Sequence, residues 1–528
     1  MIISFKNKRL LSTFSIIAGL AIAAATSAYA QTQAEIRELP LGISNPLEEN
    51  IDILPDILQD LGLSEKNGTA GFVVDMVARK NAEICDGGDC PAVKYSFSEV
   101  DRLIDAAVNK GRVNLWLVIN PVTSNKFTDG RLRRDMRTYL PDGPVSRQAY
   151  RNYLTELVNH ATIYGRAQSG NPDWYVIRWN LFNEVFSEWK AVFGKKNAAE
   201  KYAEFALDSA VILRQLSPKS KIVLGGLGSE FNLRAGRHAE FYIKVFDYFR
   251  RANPRFIPFD FFESHWFSAY TEYARNREGV EVVKEIRDFL KRQGYGDTQV
   301  IIRAGATYTG MDLDEPKGLM NNLQSESQQA EFLFKRAIYN FAQGAKAIPW
   351  SLIFEHKKYQ GNAHKIFCFT GLIYNGFPGL KECSPQRQQP CPEPGYGTKK
   401  LSYYTFKLMI EKLRGVDFGS IESIDTGIPN VYLYRLKRES GPLYVAWWDY
   451  FQGAGIQKSV TLSLPDINAP NAQVTLALPE FDGVFQALAN HLNEADYPHF
   501  FPTRILPVIN GRIALTLDDA PVFVEEKW

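Results

Sequence analysis

Three short polar clusters, each closing an apolar run, carry the residue types that acid–base chemistry needs. Trp174–Val185 is mostly apolar until it reaches the pair Asn183-Glu184; Phe259–Phe267 ends in a cluster with His265 and Trp266; Ala347–Ser351 holds Trp350. A carboxyl group at the tip of a buried strand sits on rigid backbone, which suits a group that must give and take a proton at a fixed distance from a ligand. An imidazole can hydrogen-bond such a carboxylate, and an indole offers a flat apolar face for stacking. Plainer roles are open to each residue. Asn and Glu are ordinary at a strand-to-helix junction, where they cap the next segment, and His265 and Trp350 could both be satisfied core side chains.

These runs belong to a regular alternation of strands and helices. Strands are expected near Arg37–Ile43, Gly71–Val77, Val113–Asn120, Trp174–Val185, Lys221–Gly228, Phe259–Phe267, Thr298–Gly310 and Ala347–Ser351. Helical spacing falls between them at Leu54–Leu63, Phe97–Val108, Val145–Tyr164, Ala198–Leu216, Ala239–Arg251, Val280–Gln293 and Gln328–Gln343, with Ser402–Leu413 last. Strands that alternate with helices imply a parallel sheet, and eight of them imply closure into a (βα)8 TIM barrel. In such a barrel the C-terminal strand ends form one face, and all three polar clusters lie on it. The glycines of Gly225-Gly226-Leu227-Gly228 do not match a dinucleotide-binding fingerprint, because neither the spacing nor the mid-chain position fits.

After Val416 the period changes to two. Val431–Leu436, Pro442–Trp448, Ser459–Leu464, Ala472–Leu478 and Arg512–Leu517 read as strands parted by turn residues, so the C-terminal part is expected to be an all-β sandwich. The expected organisation is a leader over residues 1–30, a barrel over 31–416 and a sandwich over 417–528. The leader is read from Lys6, Lys8 and Arg9, the apolar stretch after them, and the small-residue site Ala28-Tyr29-Ala30. Export to the periplasm or the medium follows, with no membrane anchor in the mature form.

Without the leader's three basic residues the chain holds 58 basic and 59 acidic side chains, a balance that argues against nucleic acid or an anionic membrane as partner. In an oxidising compartment Cys85 and Cys90 would pair, as would Cys383 and Cys391, leaving Cys368 single. Neither pair has a histidine at zinc-site spacing, so no metal and no cofactor is expected.

With its strand-end motifs in this order, the chain resembles the clan-A (βα)8 glycoside hydrolases from about residue 70 to the C-terminus. The resemblance implies that Glu184 is the acid/base and that Asn183 hydrogen-bonds the sugar 2-hydroxyl. It places His265 and Trp266 in the cleft after strand six, Tyr308 after strand seven and Trp350 after strand eight, as carbohydrate-binding residues. It also implies a nucleophilic Glu at the end of strand seven, where this chain has Arg303-Ala304; Ala304 stands at the expected nucleophile position, and a methyl group is no nucleophile.

Glu263 is the fallback second carboxylate, because period two turns it to the same side as His265, one layer deeper. Asp312, Asp314, Glu315 and Glu355 are others. Arg303 has two possible places: in the pocket, where it would favour an anionic group, or between barrel and helices in a salt bridge. Two functions follow as expectations. One is an exported glycoside hydrolase acting on an oligo- or polysaccharide with its second carboxylate displaced; the other is a non-catalytic relative that binds a glycan or a partner in the same cleft. A lyase is a distant third.

Overall fold

The computed structural model of the chain describes residues 37–45, 48–84, 93–122, 125–128, 131–134, 144–185, 197–228, 236–267, 282–309, 325–355, 369–374, 397–448, 458–480 and 494–528. The leader region, all five cysteines, Asp312, Asp314 and Glu315 lie outside these residues.

Eight parallel strands close on themselves. In chain order they are β1 (Arg37–Ser44), β2 (Thr69–Ala78), β3 (Asn114–Asn120), β4 (Arg178–Leu181), β5 (Lys221–Leu227), β6 (Phe261–Phe267), β7 (Gln299–Ala306) and β8 (Ile348–Trp350). Each pairs with its neighbours in sequence, and β8 returns to β1 through Leu41–Ile348, Gly42–Pro349 and Ile43–Trp350. Between and after them run α1 (Leu54–Asp60), α2 (Ser98–Ile104), α3 (Pro144–Ser169), α4 (Ala198–Leu216), α5 (Arg237–Ala252), α6 (Val282–Arg292), α7 (Glu326–Ala342) and α8 (Leu401–Leu413). Buried on both faces, such strands are continuous apolar runs, which is why their positions were readable without alternation.

The barrel interior is layered. Phe72, Val74, Trp116, Val118, Val223, Phe261, Ile301 and Ala347 fill its middle, with Phe72 and Trp116 stacked at 4.0 Å. Toward the strand starts, Arg178 lies over Trp116 and Phe261 and pairs with Glu38. Burial outweighs Arg178 there and holds the Glu38 carboxyl above its ordinary pKa. Period two along β4, β6 and β7 then brings Asn180, Glu263 and Arg303 to the layer above the aromatic one.

The C-terminal part holds a six-stranded antiparallel sheet of β9 (Glu422–Ser423), β10 (Val431–Leu436), β11 (Leu443–Trp448), β13 (Asn471–Leu476), β14 (Thr503–Pro507) and β16 (Val522–Lys527). A two-stranded sheet of β12 (Lys458–Ser463) and β15 (Arg512–Leu517) packs on it around Leu433, Tyr444, Leu462, Ile513 and Val524. The opposite face, with Tyr434, Trp447 and Phe523, joins the barrel core, where Phe523 meets Phe334 of α7 edge-on at 5.1 Å. Lys412 of α8 and Arg438 both pair with Glu525 at this junction.

Asp60 at the end of α1 fastens the start of the ring to its last helix. It accepts from Lys399 at 2.9 Å, from Tyr403 at 2.7 Å and from Lys407 at 2.7 Å. Burial alone would raise its pKa from the usual 3.8, but Lys407, Tyr403 and Lys399 overcome that and hold it at about 2. A depressed carboxylate contributes stability that is complete above the unfolded value and is lost as pH falls through the folded one. The wild type should therefore lose stability relative to Asp60→Asn between about pH 4 and pH 2. Urea unfolding of both proteins across that range checks this, and parallel curves would remove Asp60 from the role.

Among the described residues no helix is long and apolar enough to cross a membrane. Also among these residues, no group of three or more His, Cys, Asp and Glu side chains is placed to hold a metal ion.

Candidate active site

The polar cluster sits where β4, β5, β6 and β7 end, and local irregularities in these strands build it. After Leu181, β4 stops, and Phe182 takes a left-handed backbone with φ 79°, its N–H donating to the Asn180 carbonyl at 3.1 Å. This kink carries Asn183 and Glu184 to the mouth. In the pairing of β5 with β6, Leu224 faces Phe262 and Leu227 faces Ser264, so Gly225 and Gly226 together stand opposite Glu263 alone. In the pairing of β6 with β7, Ser264 faces Ile302 and His265 faces Ala304, leaving Arg303 as the extra residue of a bulge. Bulges of this kind bend a strand and re-aim one side chain.

Both bulges serve Glu263. Gly226 N–H donates to its Oε1 at 3.1 Å, Asn180 Nδ2 donates to its Oε2, and Arg303 Nε lies 3.0 Å from Oε2. The Glu263 and Arg303 side chains are both shut off from solvent. The carbonyl of Gly225, turned away by the bulge, accepts from Tyr242 at 2.7 Å, and that of Leu181 accepts from Tyr202 at 3.1 Å. A side chain at 226 has no room. An added Cβ would stand 2.4 Å from the Glu263 carbonyl oxygen and 2.5 Å from its Cγ. Gly226→Ala is expected to cost about 1–3 kcal/mol through forced movement of β6; denaturant titration checks it, and an unchanged midpoint would show that the strands give way freely.

Arg303 also reaches upward. Its Nη2 donates to Asn183 Oδ1, and its Nε and Nη2 lie 3.0 and 2.7 Å from His265 Nε2. On the other side of the ring, His265 Nδ1 is 2.7 Å from Glu184 Oε1. The His265 side chain is buried, while Glu184 keeps 26% of its side-chain surface in solvent. Burial and the Arg303 charge oppose a proton on the ring, Glu184 and Glu263 favour it, and the carboxylates prevail, so the imidazole titrates above the ordinary 6.5. A continuous chain therefore runs from the barrel interior to its mouth: Asn180, Glu263, Arg303, His265, Glu184.

The structure brings together Asn183, Glu184, Glu263 and His265, and puts Arg303 among them. Other residues singled out from the sequence lie elsewhere. Trp266, next to His265 in the chain but on the opposite face of β6, has its ring 3.4 Å from the Arg336 guanidinium of α7 and belongs to the core outside the barrel. Trp350 is buried in the same core and donates through its indole N–H to the Thr370 carbonyl at 3.0 Å. Tyr308 is fully buried, and so is Ala304. Glu355 pairs with Lys400 at 2.6 Å, and Lys400 also donates to Thr309 Oγ1 at 2.8 Å. Asn180 was not singled out, although a polar residue between Trp179 and Leu181 in a buried strand implies a buried partner.

No family model matches the sequence, and no curated protein matches it. Solved structures do match in fold. A family 39 glycoside hydrolase from Bacteroides cellulosilyticus superposes with a TM-score of 0.56 at 14% identity, over 93% of this chain and 82% of that one. A family 51 α-L-arabinofuranosidase from Bifidobacterium longum gives 0.52 at 11% identity, over 89% and 88%. A glucosidase from Croceicoccus marinus gives 0.51 at 13%, over 94% and 96%. The chain therefore shares with these glycoside hydrolases the fold of a (βα)8 barrel, and at these identities the likeness is one of fold alone.

Proposed function

We propose that this chain is an exported glycoside-hydrolase-like protein that takes an oligo- or polysaccharide at the C-terminal mouth of its barrel, with Glu184 exchanging a proton at the glycosidic oxygen. The observation that carries this reading is the pairing of Glu184 with His265: of the two carboxylates in the cluster, Glu184 reaches solvent, and a buried imidazole orients it. Asn183, whose Oδ1 is taken by Arg303, would meet a sugar hydroxyl through its Nδ2. The composition of residues 1–30 supports export.

Double displacement at Glu263 is not part of this reading. A retaining mechanism needs a second carboxylate about 5 Å from the first with an oxygen able to attack carbon. Glu263 is fully buried and commits both oxygens to Asn180, Gly226 and Arg303. The same observation favours a second reading, in which the cleft binds a glycan without turning it over.

The test uses the chain without its leader on a glycan array and an aryl-glycoside panel, with intact-mass measurement after exposure to 2-deoxy-2-fluoro glycosides. Turnover without covalent labelling supports hydrolysis by single displacement. Binding without turnover supports the second reading. A glycosyl adduct on Glu263 overturns the mechanism, and neither binding nor turnover overturns the proposal as a whole.

A further inference from the structure

We propose that Arg303 is a positioning residue that fixes the tautomer of His265, holding the ring proton on Nδ1 and aiming it at Glu184. This rests on the reading that Glu184 is the group meeting the ligand, and it adds what holds the hydrogen bond that orients Glu184.

The argument is one of donors and acceptors. A guanidinium has N–H donors only and keeps its charge at any pH a protein survives. Two of its nitrogens, Nε and Nη2, converge on His265 Nε2 at 3.0 and 2.7 Å, and the Nε–H points along the hydrogen-bond direction. A neutral ring satisfies them by offering Nε2 as a lone pair. A proton on Nε2 would face both guanidinium N–H groups at those distances and would find its nearest carboxylate oxygen, Glu263 Oε1, only at 3.7 Å. The neutral ring's proton therefore sits on Nδ1, 2.7 Å from Glu184 Oε1, and is donated there. Arg303 is itself fixed by Glu263 and Asn183, so the arrangement is set from the barrel interior and not from the solvent side.

The consequence concerns proton traffic. In its neutral form the ring, already protonated at Nδ1, cannot take a proton from Glu184 at that nitrogen. His265 then serves as a donor that orients Glu184, not as a base that relays its proton.

Two-bond 1H–15N spectra of protein labelled with 15N-histidine read the tautomer directly, on the alkaline side of the ring's own titration. The wild type is expected to show His265 protonated at Nδ1 only. Glu184→Ala removes the acceptor beside Nδ1, and the Nδ1–H form should persist because Arg303 still fills Nε2. In Glu184→Ala combined with Arg303→Met and Glu263→Gln, which removes the buried pair together, the proton should appear on Nε2. Protonation of Nε2 in the neutral wild type, or a shift to Nε2 in Glu184→Ala alone, overturns the proposal. So does an Nδ1–H form that survives the triple change. None of these spectra requires a glycan, so failure here is separate from failure of the functional reading, which glycan binding by the wild type decides.

Discussion

Glu263→Ala is expected to lower the unfolding free energy by about 3–5 kcal/mol, the range for removing one partner of a buried ion pair. The cost comes from what remains. Arg303 would keep its charge with its side chain 1% exposed, and would lose the carboxylate 3.0 Å from its Nε. Asn180 and the Gly226 N–H would lose their acceptor as well. Removing both charges together should restore much of the loss, because a buried pair taken out as a unit avoids the uncompensated charge. Arg303→Met with Glu263→Gln is therefore predicted to be more stable than Glu263→Ala, and denaturant midpoints with a common slope measure the difference. Equal losses in the two proteins would show that the pair stabilises the fold by more than the penalty of breaking it.

The same pair bears on position 304. Ala304 is 1% exposed, and the strand-seven side chain that enters the cluster is that of Arg303. Ala304→Glu would bury a carboxylate with no designed partner, so it should destabilise the protein and create no nucleophile.

The barrel was readable because its physics repeats. Each strand is buried on two faces and each helix on one, so apolar runs and helical spacing alternate eight times, and Ala198–Leu216 matched its helix residue for residue. Three strands of the C-terminal sheet have no counterpart among those expected from the sequence, and the first of them, β9, is only two residues long. β14 lies at the sheet edge and is largely exposed on both sides, so it has no alternation to detect; β16 begins Val-Phe-Val but ends Glu-Glu-Lys. Within the site, period two correctly placed Glu263 on the side of His265 and one layer below it. The same rule turns Trp266 outward against Arg336, whereas the resemblance implies a place for it in the cleft. The place of Arg303 stayed open in the sequence because a bulge is a property of two strands in register, and no single strand encodes it.

Glu184→Gln should reduce any hydrolysis by about 10²–10⁴-fold, the usual contribution of a positioned acid–base group, while leaving the unfolding midpoint almost unchanged. The two halves of this expectation have different origins. Stability is spared because Glu184 is partly exposed and amide and carboxyl are nearly the same size; Gln can still accept from His265 Nδ1 through its oxygen. Activity is lost because an amide cannot exchange the proton. If instead the cleft only binds, the same variant should weaken glycan affinity by no more than a neutral-for-charged hydrogen bond is worth, about tenfold. Measuring turnover and affinity on one preparation separates the cases: a collapse in rate with affinity intact assigns proton transfer to Glu184, whereas a modest loss of affinity with no rate to lose assigns it to recognition. Hydrolysis that survives the change undiminished would take Glu184 out of the chemistry, and the buried Glu263 could not replace it without first being released from Arg303.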